Sequence, residues 1–267
     1  MRGLILLLLS LLATATLVPA AAAAETFDHS AFDALLRAHV VDGKVDYDAF
    51  GEAPSFPAYL DALARADLAR LDEDERLAFW INVYNAYTIQ LINRHQERDS
   101  IRNINKSLFG TKGPWREKLV KAAGEVHHLD NVEHDIIRKQ FKEPRIHFAL
   151  VCAALGCPDL RSEAYAGARL EAQLQEQSVR FLLRSPDRNR VEPGTRTVYG
   201  SPIYASWYRE DFGQTDAAIG RYLARFHPEG PERQLLLSGS FKLVETDYDW
   251  TLNSREKAKA REEKGAP

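Results

Sequence analysis

Apolar positions recur along most of this chain at helical spacing. Phe32, Leu35, Leu36 and His39 share one face over Asp28 to Val40, which predicts a helix. Tyr59, Leu60, Leu63 and Leu68 predict a second over Phe56 to Leu71. The longest pattern runs from Glu73 to His95, with a capping-box-like start at Asp72 and Glu75. Leu77, Trp80, Ile81, Tyr84, Thr88 and Leu91 line one face of it, but Phe79, Val83 and Ile89 lie elsewhere around the helix. A helix apolar nearly all round is buried inside a larger core. Asn82 and Asn85 are therefore expected inside, or at the floor of a cleft, where each amide needs partners for its donors and acceptor.

Further along, Ser100 to Lys112 reads as loop and Glu125 to His128 as a short strand. Asp130 to Phe141 reads as a helix capped by Asp130 and Glu133, and Ile146 to Val151 as a buried strand. Leu170 to Leu183 has helical spacing, Arg190 to Ser201 resembles a hairpin around Pro193-Gly194, Ser206 to Phe212 a short aromatic helix, and Phe241 to Trp250 a final strand. Helices dominate, with scattered strands and no internal repeat. The expectation is an α+β fold: a helix-dominated single domain over residues 25–253, with a small, mostly antiparallel sheet. Residues 254–267 are charged and almost free of apolar side chains, and are expected to fray.

The first 24 residues stand apart. Arg2 is their only charge, Leu4 to Val18 is almost wholly apolar, and Pro19 leads into the small residues Ala20 to Ala24. That is the pattern of a cleaved secretory signal, and the apolar run is shorter than the roughly twenty residues a spanning helix needs. The expected location is periplasmic or secreted, with no membrane segment after cleavage. The net charge of −3 has both signs interspersed, so it offers no footprint for nucleic acid.

Export changes the reading of the two cysteines, Cys152 and Cys157, because disulfides persist outside the cytoplasm. Three readings compete. A bridge requires Cα atoms about 4.4–6.8 Å apart, whereas five residues of straight strand span about 17 Å, so the loop must fold back, helped by Gly156. A catalytic thiol requires a base and a group that orients it. His127, His128, His134 and His147 are candidate bases, with Asn82, Asn85, Asp130 or Glu133 to orient one. Strand alternation puts His147 on the face opposite Cys152, which favours His134. A metal site would need both thiols and some of the histidines, although C-x4-C is not the usual tight zinc hook. Trp80, Tyr84, Trp207, Tyr208 and Phe212 read as core rather than as a ligand-stacking surface.

Several separated motifs resemble the domain of unknown function 547 family. They are Phe79-Trp80-Ile81-Asn82-Val83-Tyr84-Asn85-Ala86, Val132-Glu133-His134 before Ile137-Arg138, and Arg145-Ile146-His147-Phe148-Ala149-Leu150 with Cys152 and Cys157-Pro158. Trp207-Tyr208 with Asp211-Phe212, and Tyr248-Asp249-Trp250 with Leu252-Asn253, look like later motifs of its bacterial members. The resemblance runs from about Phe27 to Asn253. It implies an exported bacterial protein, without the preceding coiled coil of the plant members, and it carries over no activity and no cofactor. Its motifs single out Asn82, Asn85, Glu133, His134, Arg145, His147, Cys152 and Cys157.

Two functional expectations follow. One is a thiol-dependent hydrolase or acyl-transferase, with Cys152 as nucleophile, His134 or His147 as base, and Asn82, Asn85 or Glu133 orienting the base or holding an oxyanion. The other is a non-enzymatic binding or assembly module with a structural Cys152–Cys157 disulfide. The partner is an envelope substrate or protein in either case, and no cofactor is expected.

Overall fold

A computed structural model describes residues 25–106 and 113–263. Residues 1–24, expected above to be a secretory signal, part of the loop after Ile104, and the last four residues lie outside the described residues. The order of elements is α1 (Ser30–His39), β1 (Val40–Val41), β2 (Lys44–Val45), α2 (Tyr47–Glu52), α3 (Ser55–Ala64), α4 (Glu73–Arg94), β3 (Val120–Ala122) and β4 (Glu125–His127). A composite helix follows, built from α5 (Leu129–Asn131), a π-helical stretch (Val132–Ile137) and α6 (Arg138–Gln140). Then come α7 (Leu170–Leu183), β5 (Arg190–Glu192), β6 (Thr197–Gly200), a second π-helical stretch (Ile203–Trp207), α8 (Arg209–Phe212), α9 (Asp216–Leu223), α10 (Pro231–Ser238), β7 (Lys242–Glu245) and α11 (Arg255–Glu263). The fold is helix-dominated α+β, as expected. The strands form two antiparallel pairs, β1–β2 and β3–β4, and a mixed sheet in which β6 pairs antiparallel with β5 and parallel with β7.

Helix α4 is the axis of the main core. Asp72 caps it, accepting from the Glu75 N–H at 2.9 Å, and every residue from Leu77 to Ile89 is buried. A second apolar cluster joins Phe181 of α7, Val198 of β6, Ile219 of α9 and Leu236 of α10. The segment 146–150 runs between the two: Ile146, Ala149 and Leu150 belong to the main core, Phe148 to the second. Ile146 to Val151 is therefore not a strand. Pro144–Phe148 is a 3-10 turn, followed by irregular chain whose backbone is held by Asn85 instead of a neighbouring strand.

Other expectations are corrected too. Helix α3 stops at Ala64, because the Ala123 and Gly124 N–H groups of the β3–β4 turn donate to the carbonyls of Leu63 and Ala64. The composite helix is capped by His128, whose Nδ1 accepts from Asn131 N–H at 2.9 Å, and not by Asp130. Only Lys242–Glu245 of the final stretch is strand. Beyond it Asp249 and Thr251 accept hydrogen bonds from Gly156 and Leu155. Arg255–Glu263 is a helix rather than a frayed tail, tied down by Lys257 to Asp99 (2.6 Å) and Arg261 to Asp249 (2.8 Å).

Candidate functional site

Cys152 and Cys157 form a disulfide, with Cα atoms 6.2 Å apart. The loop between them folds back through Ala153, whose φ of +60° lies in the left-handed region, and a turn closes from Cys157 N–H to Ala154 O. Gly156 lies within that turn, as expected, and has a second role. A Cβ there would stand 2.9 Å from Asp249 N and 3.0 Å from the Tyr248 ring, so a glycine is what lets Tyr248 close over the loop. The Tyr248 hydroxyl lies 3.0 Å from both sulfurs.

The disulfide walls a cavity of about 230 Å³ at the seam of the two cores. The composite helix presents Asp130, Glu133 and His134 to it, and His147, Tyr84 and Tyr208 complete this polar side. Trp115, Trp207, Tyr248 and Trp250 form an aromatic side. Trp207 packs on Tyr248 and Trp250 with ring centroids 4.7 and 5.7 Å away, yet stays 45% exposed. Both π-helical stretches border this cavity, a placement π turns frequently have at functional sites.

The imidazoles are committed to neighbours other than sulfur. His134 Nδ1 lies 3.0 Å from Arg138 Nη1, accepting from it, and His134 Nε2 lies 3.6 Å from Asp130. His147 is fully enclosed. Its Nε2 lies 2.6 Å from Asp211 Oδ2, its Nδ1 is 4.0 Å from Glu133, and its ring stacks on Tyr208 at 4.0 Å. Arg138 grips Asp211 with two further bonds of 2.7 and 3.0 Å. Burial works to raise the titration of Asp211, but the bonds from His147 and Arg138 outweigh it and hold the carboxyl well below the usual carboxylate range. Burial, reinforced by the Glu133 carboxylate, pushes the phenols of Tyr84 and Tyr208 up, so both stay hydrogen-bond donors.

The structure thus brings together Cys152, Cys157, Glu133, His134 and His147. His147 faces the same cavity as Cys152 because the strand that would have separated them does not form. Asn82 and Asn85 are not cavity residues. Asn82 clamps Tyr165, donating to its carbonyl at 2.8 Å and accepting from its N–H at 3.0 Å. Asn85 does the same between Ala149 O (3.0 Å) and Val151 N–H (2.9 Å). Neither amide is left to hold an oxyanion or orient a base. Arg145 is likewise structural, joined to Glu143 and to Glu171 of α7. His127 lies apart, edge-on to Trp80 and bonded to Asn131. Among the described residues, no group of three or more His, Cys, Asp or Glu is placed to hold a metal ion.

Sequence reasoning missed the Asp211–Arg138 pair, Trp115 and Tyr248, and it read Trp207 and Tyr208 as core. The signal for Asp211 and Tyr248 was their place in the late motifs.

Fold and cleft together define a helix-rich α+β domain with a disulfide-walled, aromatic and acidic cavity. Residues 68–182 match the profile of the family described as protein of unknown function, DUF547, which supports the resemblance drawn from the motifs. The match takes in α4, the composite helix and the cysteine loop, while Trp207, Tyr248 and Trp250 lie beyond it. No curated protein and no solved structure matches the chain. No helix among the described residues is long and apolar enough to cross a membrane.

Proposed function

We propose that the protein is an exported, non-enzymatic binding protein of the cell envelope, and that the Cys152–Cys157 bridge shapes its cleft. One observation carries the reading. Both sulfurs are spent in one bond at the cavity wall, and the side chain that hydrogen-bonds them is the Tyr248 hydroxyl, not an imidazole. A thiolate mechanism needs a free sulfur with a base in reach. His134 and His147 are instead engaged by Arg138 and Asp211. The leader-like first 24 residues favour the same reading, since an oxidising compartment keeps such a bridge closed.

One feature favours the thiol enzyme as a second reading: the half-buried Cys152 and the partly exposed His134 face the same cavity. Reduction would return a thiol to that wall. The two readings part on a single preparation. Intact mass with and without an alkylator reads the bridge, and the reduced protein is then assayed on an activated acyl ester. The expected result is a mass lighter by the two thiol hydrogens, no alkylation until a reductant is added, and no ester turnover that depends on Cys152. Turnover by the reduced protein that Cys152→Ala abolishes would overturn the binding reading and restore Cys152 as nucleophile.

A further inference from the structure

The cavity is chemically lopsided. Its lining contains two carboxylates, Asp130 and Glu133, four large aromatic side chains on one side, and no lysine or arginine among the described residues. Asp130 has outside help, with Arg116 at 3.5 Å and His134 at 3.6 Å. Glu133 has little. Its side chain is only 9% exposed, and its ion-pair neighbour among the described residues is His147 Nδ1 at 4.0 Å. That imidazole already reaches Asp211 through Nε2, and the charge of Asp211 is balanced by both arms of Arg138. A buried carboxylate is costly unless a positive group or several donors offset it. The Tyr84 and Tyr208 hydroxyls supply donors but no charge.

Across the cavity stand Trp115, Trp207, Tyr248 and Trp250. Aromatic faces attract cations through the ring quadrupole, tryptophan most strongly. The cluster already does so on its own chain, since the Arg102 guanidinium sits 5.2 Å from the Trp250 ring. Trp207 leaves a large apolar ring open beside the cavity.

Resting on the reading of the cleft as a binding site, we propose that its ligand presents an organic cation, a tertiary or quaternary ammonium group. The methyl-clad charge meets the tryptophan and tyrosine rings while Glu133 supplies the counter-charge. A quaternary ammonium has no N–H and a tertiary one a single N–H that one carboxylate can accept, so aromatic faces and one carboxylate suffice to hold it. A phosphate or carboxylate ligand would meet two acids and, among the described lining residues, no lysine or arginine, the two imidazoles being held by Arg138, Asp130 and Asp211.

The test uses protein purified with its disulfide intact. Choline and its uncharged isostere 3,3-dimethyl-1-butanol are titrated by calorimetry and tryptophan fluorescence, together with an oligosaccharide of N-acetylglucosamine as a neutral ligand. Choline should bind at least about tenfold more tightly than the isostere. Glu133→Gln should collapse that ratio while leaving binding of the isostere unchanged and the thermal unfolding transition no lower than the parent's, and Trp207→Ala should weaken both probes. A ratio near one, or a ratio that Glu133→Gln leaves intact, overturns the proposal. Binding of the saccharide with none of choline overturns it too, but leaves the cleft a binding site. If nothing binds and the reduced protein turns over ester through Cys152, the binding reading falls with it.

Discussion

Two helices bring polar side chains to the middle of this molecule, and they use them in opposite ways. Helix α4 carries Asn82 and Asn85, whose amides each bracket one backbone carbonyl and one backbone N–H, of Tyr165 for the first and of Ala149 and Val151 for the second. The composite helix 129–140 carries Glu133 and His134 and points them into a cavity. The first pair substitutes for a strand neighbour and fixes where the cysteine loop begins. The second helix departs from α geometry: Arg138 N–H reaches back five residues to Glu133 O. Burial alone does not separate a structural polar group from a functional one. The accounting of its donors and acceptors does.

The largest effect should come from the α4 side. Asn85→Ala strips partners from two buried backbone groups at once, each costing about 1–3 kcal/mol, so a loss of about 2–4 kcal/mol is expected in urea unfolding. Asn82→Ala should behave alike, since it frees both backbone groups of Tyr165. A loss below about 0.5 kcal/mol, the range of ordinary surface substitutions, would mean that these amides are not brackets.

Asp211 is the support behind the cavity helix. Asp211→Asn removes charge-assisted bonds to His147 and Arg138, and about 2–3 kcal/mol of stability should go with them. The pH dependence has a definite sign. The folded carboxyl titrates below its unfolded value, so its contribution is complete above the ordinary aspartate range near about pH 4. That contribution is lost as pH falls towards the lower folded value. Glu163, held down to about 2 despite burial by bonds from Arg161, Arg169 and Gln173, adds loss in the same window. Unfolding curves between neutral and strongly acid pH should therefore be shallower for Asp211→Asn than for the parent. Parallel curves would remove Asp211 from the account.

Much of this contrast was hidden in the sequence, for identifiable reasons. Helical spacing located α1, α4 and α7 because an apolar stripe is a local property. The same spacing rightly placed Asn82 and Asn85 inside, but their partners lie 64 to 83 residues away, and no local pattern shows them. The run Ile146 to Val151 has strand composition, yet no neighbouring strand offers it a ladder, so it folds as a turn. That one misreading also set His147 and Cys152 on opposite faces. Cys152, Glu133, His134 and His147 were all legible as candidates. Their partners Asp211 and Tyr248 come from segments 64 and 96 residues further on and meet them only in the packed fold.

The bridge lies between the two sides of the comparison. Replacing both cysteines by Ala removes a small ring, for which chain entropy predicts about 2 kcal/mol. If the bridge also positions Tyr248, as its 3.0 Å contacts indicate, cleft binding should weaken along with stability. Loss of stability with binding unchanged would separate the staple from the cleft.

The smallest effect is the sharpest test. Glu133→Gln keeps shape and an acceptor for the Tyr84 and Tyr208 hydroxyls but removes a desolvated charge. Residues kept for function often carry a stability cost that neutral replacements relieve. The expected change is therefore between zero and a gain of about 1 kcal/mol in urea unfolding, opposite in sign to Asn85→Ala. A loss as large as that of Asn85→Ala would show Glu133 to be a bracket like the asparagines of α4. The composite helix would then be structural as well, and the contrast between the two helices would vanish.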